Sequence, residues 1–182
     1  MLGTPVNDVA EENNLLIDNF TAPDLMSALG TEWRGVSDRV MGGLSEASVR
    51  RTCDGGRQIL HLRGEVRLEN NGGFIQAALN LAPGNETLDV SGFRGVRLIV
   101  RGNSEHYSVH LRTPDSIRPW QSYRAEFTTG PDWRTIELPF ANFEPHRIEA
   151  ALDTRRLRRL GLVAIGRAFC ADLMVSSLVF YL

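Results

Sequence analysis

The chain has 182 residues, enough for one domain with a sizeable core, and its 42% hydrophobic and 23% charged content is that of a water-soluble globular protein. A net charge of −2 offers no general attraction to nucleic acid or anionic lipid, and no apolar run is long enough for a membrane span, so neither partner is expected. All 20 basic residues are arginine, which excludes a lysine Schiff base, a lysine general base and a phosphate-loop lysine.

The N-terminal stretch "MLGTPVNDVAEENN" has neither a basic n-region nor an apolar h-region, and it is acidic where a transit peptide is arginine-rich. The expected location is therefore cytoplasmic, most simply in a bacterium. "APDLMSALG" reads as one or two helical turns stopped by Gly30. After Trp33 comes "DRVMGG", residues 38–43, and then the strand-like "SEASVRR". Read as structure alone, Gly42-Gly43 is a turn needing positive φ, with Asp38 and Arg39 pairing locally and Met41 filling a core gap. The second polar Gly-Gly, in "NNGGF" from Asn70 to Phe74, suggests something more: two places where backbone must approach something closely.

Period-two alternation dominates the rest. "ILHLRG", "EVRLEN", "GGFIQAALNL", "WRTIELP", "LRRLGLVAIG" and "LMVSSLVFYL" read as short strands, with "AALNL" buried on both faces. "GVRLIVRG" sends Val96, Leu98 and Val100 inward and Arg97, Ile99 and Arg101 outward. In "HYSVHLRT", Tyr107, Val109 and Leu111 oppose Ser108, His110 and Arg112. In "WQSYRAEF", Gln121, Tyr123, Ala125 and Phe127 oppose Trp120, Ser122, Arg124 and Glu126. Short helical turns are expected in "FANFEPH" and "EAALDTRR". Turn signals ("DGG", "NNGG", "APGN", "RGNS", "TTGPD") fall at sandwich spacing. The expected fold is an all-β sandwich of about ten strands forming one domain over residues 1–182.

Motif order adds a resemblance. "W-x-x-V-S-D-R-V-M-G-G-L-S" from Trp33, then "NNGGF", "YSVHLRT", "YRAEF" and "W-x-x-x-x-LPFANFEP" from Trp133 resemble, in that order, the thirty-kilodalton complex I intermediate-associated protein family, over about Asp18 to Tyr181. The resemblance implies a jelly-roll, galactose-binding-like β-sandwich and a non-catalytic assembly or chaperone-like role toward a respiratory NADH dehydrogenase, whose subunits or assembly intermediates would be its protein partners. One departure is local: Ala78 stands where the family pattern leads one to expect arginine.

Chemistry-bearing residues are few. Cys53 and Cys170 have no Cys or His at metal-ligand spacing and read as ordinary thiols, and His61, His106, His110 and His146 read as strand or loop histidines. No nucleophile elbow and no nucleotide loop occurs, so no enzyme activity, metal or other cofactor is expected. "RRLRR", residues 155–159, reads as a solvated, partly paired face beside Glu149 and Asp153. Two candidate binding elements remain. One is the family-motif loops: Asp38, Arg39, Met41, Gly42, Gly43 and Ser45, with Asn71, Gly72, Gly73 and Phe74. The other is a polar sheet face of His110, Arg112, Trp120, Ser122 and Arg124 extended by Arg97 and Arg101, suited to a protein partner or, alternatively, a carbohydrate. A carbohydrate module is expected to show several exposed aromatics, and Trp120 is the one good candidate.

Overall fold

The computed structural model describes residues 13–182, so the reading of the N-terminal stretch lies largely outside the described residues. Among the described residues, twelve strands form two six-stranded antiparallel sheets. In the first sheet β3 (Glu46–Asp54), β4 (Arg57–Val66), β12 (Phe169–Tyr181), β6 (Gly95–Gly102) and β9 (Arg134–Pro139) lie side by side, with β1 (Leu15–Asp18) on β12. The second runs β10 (Glu144–His146), β8 (Ser122–Thr128), β7 (His106–Arg112), β11 (Arg159–Ile165), β5 (Phe74–Asn80) and β2 (Arg34–Ser37).

Alternation explains the sandwich. Leu60, Leu62, Leu98, Val100, Leu173 and Phe180 of the first sheet, and Ile75, Leu79, Tyr107, Val109, Leu111, Tyr123 and Leu162 of the second, are buried in one core. Each such Leu or Val contributes about 1.5–3 kcal/mol by leaving water. The apolar inward residues expected for the strands at 95–102, 106–112 and 122–128 are buried, but Ser108 and Ser122 of the opposite sets are buried as well, and Gln121 is half-buried on the loop before β8. Ala77, Ala78 and Leu79 are all fully buried, so this stretch of β5 is covered on both faces.

Local differences have local reasons. "ILHLRG" and "EVRLEN" are largely one strand, β4, paired along its length with β3 across the Gly55-Gly56 turn. The twelve strands exceed the expected ten partly through short ones, the four residues of β1 and the three of β10. The "APDLMSALG" segment is not helical: Met26 bridges Glu32, and the Ser27 hydroxyl accepts from the Leu29 and Thr31 amides. "EAALDTRR" forms a turn, with Asp153 accepting from the Arg155 amide, while Phe140–Asn142 is the expected single helical turn. Among the described residues no helix is long and apolar enough to cross a membrane.

Candidate binding cleft

The "DRVMGG" segment folds by capping. The Ser37 hydroxyl accepts from the Arg39 amide to start a 3-10 turn at Asp38–Met41, and Gly42 ends it at φ +85°. This places Asp38, with no exposed surface, beneath both Gly-Gly loops. Its carboxylate accepts from the Ser45 amide at 2.9 Å, the Ser45 hydroxyl, the Gly73 amide and, at 3.3 Å, the Phe74 amide. Burial pushes the Asp38 carboxyl up, but the hydrogen bonds from Ser45, Gly73 and Phe74 outweigh it and hold the group below the usual aspartate range. The close approach that the glycines imply is therefore to this carboxylate: a Cβ on Gly43 or Gly72 would collide with it. Asn70 adds a tie, its side-chain amide donating to the Gly42 carbonyl at 3.2 Å.

Two expectations for this loop are corrected. Arg39 bonds Glu46 at 3.0 Å and the Ser45 carbonyl at 3.2 Å, because the inward-facing Asp38 carboxylate is already occupied by four donors. Met41 is 51% exposed and Val40 74%, because the turn that buries Asp38 leaves its far side outward. Val40, Met41, Leu68, Asn71, Gly72, Gly73 and Phe74 instead line a cleft of about 500 Å³.

The cleft extends over the outer face of the second sheet, where Gln76, His110, Arg112, Ser122, Arg124, Arg159 and Gly161 also line it, together with Pro119 and Trp120. Register sets this floor. Strands β7 and β8 pair as consecutive neighbours with His110 opposite Arg124, while β11 puts Gly161 opposite His110 and Arg159 opposite Arg112. A Cβ on Gly161 would meet the Gln76 side-chain oxygen, so this glycine makes room for a polar side chain across the face. Trp120, 47% exposed, sits on the loop before β8. Arg112 orders that loop, donating through Nη1 to the Pro119 carbonyl at 2.8 Å and through Nη2 to the carbonyls of Ser116 at 2.9 Å and Arg118 at 3.3 Å. Arg124 donates to the Ser122 hydroxyl at 2.8 Å and the Trp120 carbonyl at 3.3 Å.

An adjoining hollow of about 410 Å³ shares His110 and Arg124 and includes Ser108, Glu126, Glu144 and His146. His110 is 2.9 Å from the Ser108 hydroxyl. Burial first, then the nearby Arg124, His146 and Arg112, push the imidazole down to about 3. At neutral pH it is uncharged and a weak proton acceptor, ill suited to activating Ser108. Among the described residues no group of three or more His, Cys, Asp or Glu is placed to hold a metal ion.

Arg97 and Arg101 do not extend this face. Strand β6 belongs to the first sheet, where Arg97 pairs with Glu137 at 2.9 Å over the Tyr181 ring and Arg101 pairs with Asp54 at 3.1 Å. Conversely, Arg159 departs from the solvated face expected for "RRLRR". Arg156 is surface-paired, with Asp153 at 2.9 Å and Asp115 at 3.1 Å, whereas Arg159 is a half-buried strand residue of the cleft. The signal lay in the alternation of "RLGLVAI", which puts Arg159 and Gly161 on the face opposite Leu160 and Leu162.

No curated protein matches the chain. Among solved structures, the family 11 carbohydrate-binding module of the Clostridium thermocellum cellulase Lic26A-Cel5E is 12% identical, with TM-score 0.69 over 93% of this chain and 95% of that one. The same organism's family 11 module in complex with a β-1,3-1,4-mixed-linked tetrasaccharide is 11% identical, with TM-score 0.68 over 92% and 95%. The family 30 module of its cellulase Cel9D-Cel44B is 16% identical, with TM-score 0.64 over 91% and 96%. These likenesses establish the jelly-roll sandwich. Residues 19–171, which contain both Gly-Gly loops and every strand bordering the cleft, match complex I intermediate-associated protein 30 (CIA30), and the chain belongs to that family.

Proposed function

We propose that the chain is a non-catalytic binding module that acts as an assembly factor or chaperone-like protein, its cleft holding a segment of a respiratory NADH dehydrogenase (complex I) subunit or assembly intermediate. The observation that carries the reading is the cleft's composition: Arg112, Arg124 and Arg159 on the floor, with Val40, Met41, Leu68 and Trp120 along its sides. Guanidiniums beside apolar and aromatic side chains are the groups that dominate protein interfaces. Family membership supports the choice of partner. The proposal includes a cytoplasmic location, where such a subunit is made. The test is affinity capture from the source cells with wild-type and Trp120→Ala protein, followed by mass spectrometry. Complex I subunits should be enriched by the wild type and depleted by the variant. Capture without any complex I subunit overturns the assignment.

A second reading is carbohydrate binding, favoured by the likeness to carbohydrate-binding modules and by an exposed Trp120 beside polar groups on a sheet face. A single tryptophan is a small stacking platform for a neutral glycan. Calorimetric titration with a β-1,3-1,4-mixed-linked tetrasaccharide distinguishes the readings, and saturable heat lost in Trp120→Ala would favour the sugar.

A further inference from the structure

Arg112 and Arg159 are register partners on neighbouring strands, so two guanidinium side chains leave the outer face from directly opposed positions. Like charges so placed destabilise an antiparallel pair. Burial lowers both arginines' pKa, and repulsion adds to it, from Arg158 at Arg112 and from Arg34, Arg112 and Arg158 at Arg159. The chain has carboxylates to spare, and Arg39, Arg67, Arg97, Arg101, Arg156 and Arg167 each hold one. Among the described residues neither Arg112 nor Arg159 has a carboxylate partner. The buried Nε of Arg158 also lacks a hydrogen-bond partner. Positive charge is thus concentrated at Arg112 and Arg159, and among the described residues the lining of the cleft contains no carboxylate.

The two arginines differ in what they have left to give. Both terminal nitrogens of Arg112 already donate to loop carbonyls. Arg159 uses only its Nε, on the Asn80 side-chain oxygen at 3.3 Å, so its two terminal nitrogens have no partner among the described residues. Two parallel N–H groups on one planar edge are what a carboxylate accepts in bidentate fashion. Val40, Met41 and Leu68 line the same cleft. A neutral glycan has no use for the unbalanced charge. An acidic sugar has no use for the apolar side chains. A peptide carrying both acidic and apolar side chains uses both.

We propose that Arg159, backed by the field of Arg112, is a carboxylate-binding subsite of the cleft, and that the segment it recognises is a peptide in which an Asp or Glu is flanked by apolar residues. The acidic side chain lies on the free edge of Arg159 and offsets the repulsion carried by the unliganded protein, while its apolar neighbours cover Met41 and Trp120. This rests on the reading of the cleft as a protein-binding site and names the chemistry of its partner.

The test uses the full chain at low ionic strength and a synthetic peptide alternating Glu with Leu and Phe. Its twin with Gln at every Glu and an oligogalacturonate serve as comparison ligands. Calorimetric titration should show the Glu peptide binding with affinity that falls as salt is added, and the Gln twin weaker by about tenfold or more. Arg159→Gln should bind the two peptides alike and, without ligand, melt no lower than wild type because a repulsion is gone. Arg159→Lys should keep a reduced preference for Glu, since charge remains and the fork is lost. Equal binding of both peptides by wild type overturns the subsite, as does an undiminished Glu preference in Arg159→Gln. Preference for oligogalacturonate over the peptide overturns the peptide assignment. Capture of complex I subunits that survives Arg159→Gln also overturns this inference but leaves the proposed function standing, whereas capture of no protein by wild type removes the proposed function itself.

Discussion

Oδ2 of Asp38 stands 2.5 Å from where a Cβ on Gly72 would be, so one carboxylate occupies the space that two separate loops leave empty. Any side chain at Gly72 must displace the charge that organises Ser45, Gly73 and Phe74. Gly72→Ala and Asp38→Asn are therefore each expected to destabilise the protein, the latter by about 2–3 kcal/mol, since an amide turns a donor toward donors that needed an acceptor. Their effects should fall short of additive because both break the same contact. Urea unfolding of the two single variants and the double measures this, and full additivity would mean the loops are independent.

Acid sensitivity follows from His110. Its folded-state value is about 3 against an ordinary 6.5, so between those values the unfolded chain takes up a proton that the folded protein does not. Stability from this group is complete above about pH 6.5 and is lost progressively as pH falls toward 3. Asp38, held below its ordinary range, adds a loss at still lower pH. Melting temperatures recorded from pH 7 downward should fall in wild type and fall less steeply in His110→Gln. Parallel curves would show that the imidazole is free to protonate in the folded state.

Trp120 and Arg112 share the cleft but are predicted to behave differently on substitution. Trp120→Ala removes a half-exposed side chain and should change stability by about 0.5 kcal/mol or less while weakening binding. Arg112→Ala frees the carbonyls of Ser116, Arg118 and Pro119 and should cost about 1–3 kcal/mol. Limited proteolysis should cut the Arg112→Ala protein between residues 113 and 121 sooner than wild type. Equal protease resistance would mean that the loop holds its own shape.

Much of this arrangement is written locally and therefore legible from residues alone. The alternation in 106–112 and 122–128 identifies the polar face, and two Gly-Gly pairs announce a shared close approach, although they do not say that Asp38 is what they approach. Sheet membership is a different kind of information. Strands at 95–102 and 106–112 carry the same period and adjoin in sequence, yet lie in opposite sheets, which is why Arg97 and Arg101 are far from the face they were expected to extend. Period two says which residues share a side of a strand and nothing about which sheet the strand joins. Arg159 was hidden for the converse reason. A run of arginines beside acidic residues resembles a solvated surface, and only the pairing of β11 with β7 shows that its last member faces a like charge.

Ala78 provides the sharpest test of how this face balances charge. It is fully buried on β5, opposite Arg34 on one side and Gly161 on the other, with Arg159 diagonal to it. Family resemblance leads one to expect arginine here, so the natural supposition is that Ala78→Arg would restore a lost feature. The surroundings argue otherwise. A new guanidinium would stand directly across from Arg34 and within diagonal reach of Arg159, neither of which has a carboxylate partner among the described residues, and would need volume that is already filled. Ala78→Arg should therefore destabilise by about 1–3 kcal/mol. If charge is the larger part of that cost, adding Arg159→Gln should recover a substantial share of it and return the preference for an acidic peptide, because the guanidinium has then moved one position across the sheet. Denaturation of Ala78→Arg, Arg159→Gln and the double variant, each titrated with the Glu peptide and its Gln twin, reads both effects. A cost at Ala78→Arg unchanged by Arg159→Gln would show that space at β5, rather than repulsion, sets which strand carries the arginine.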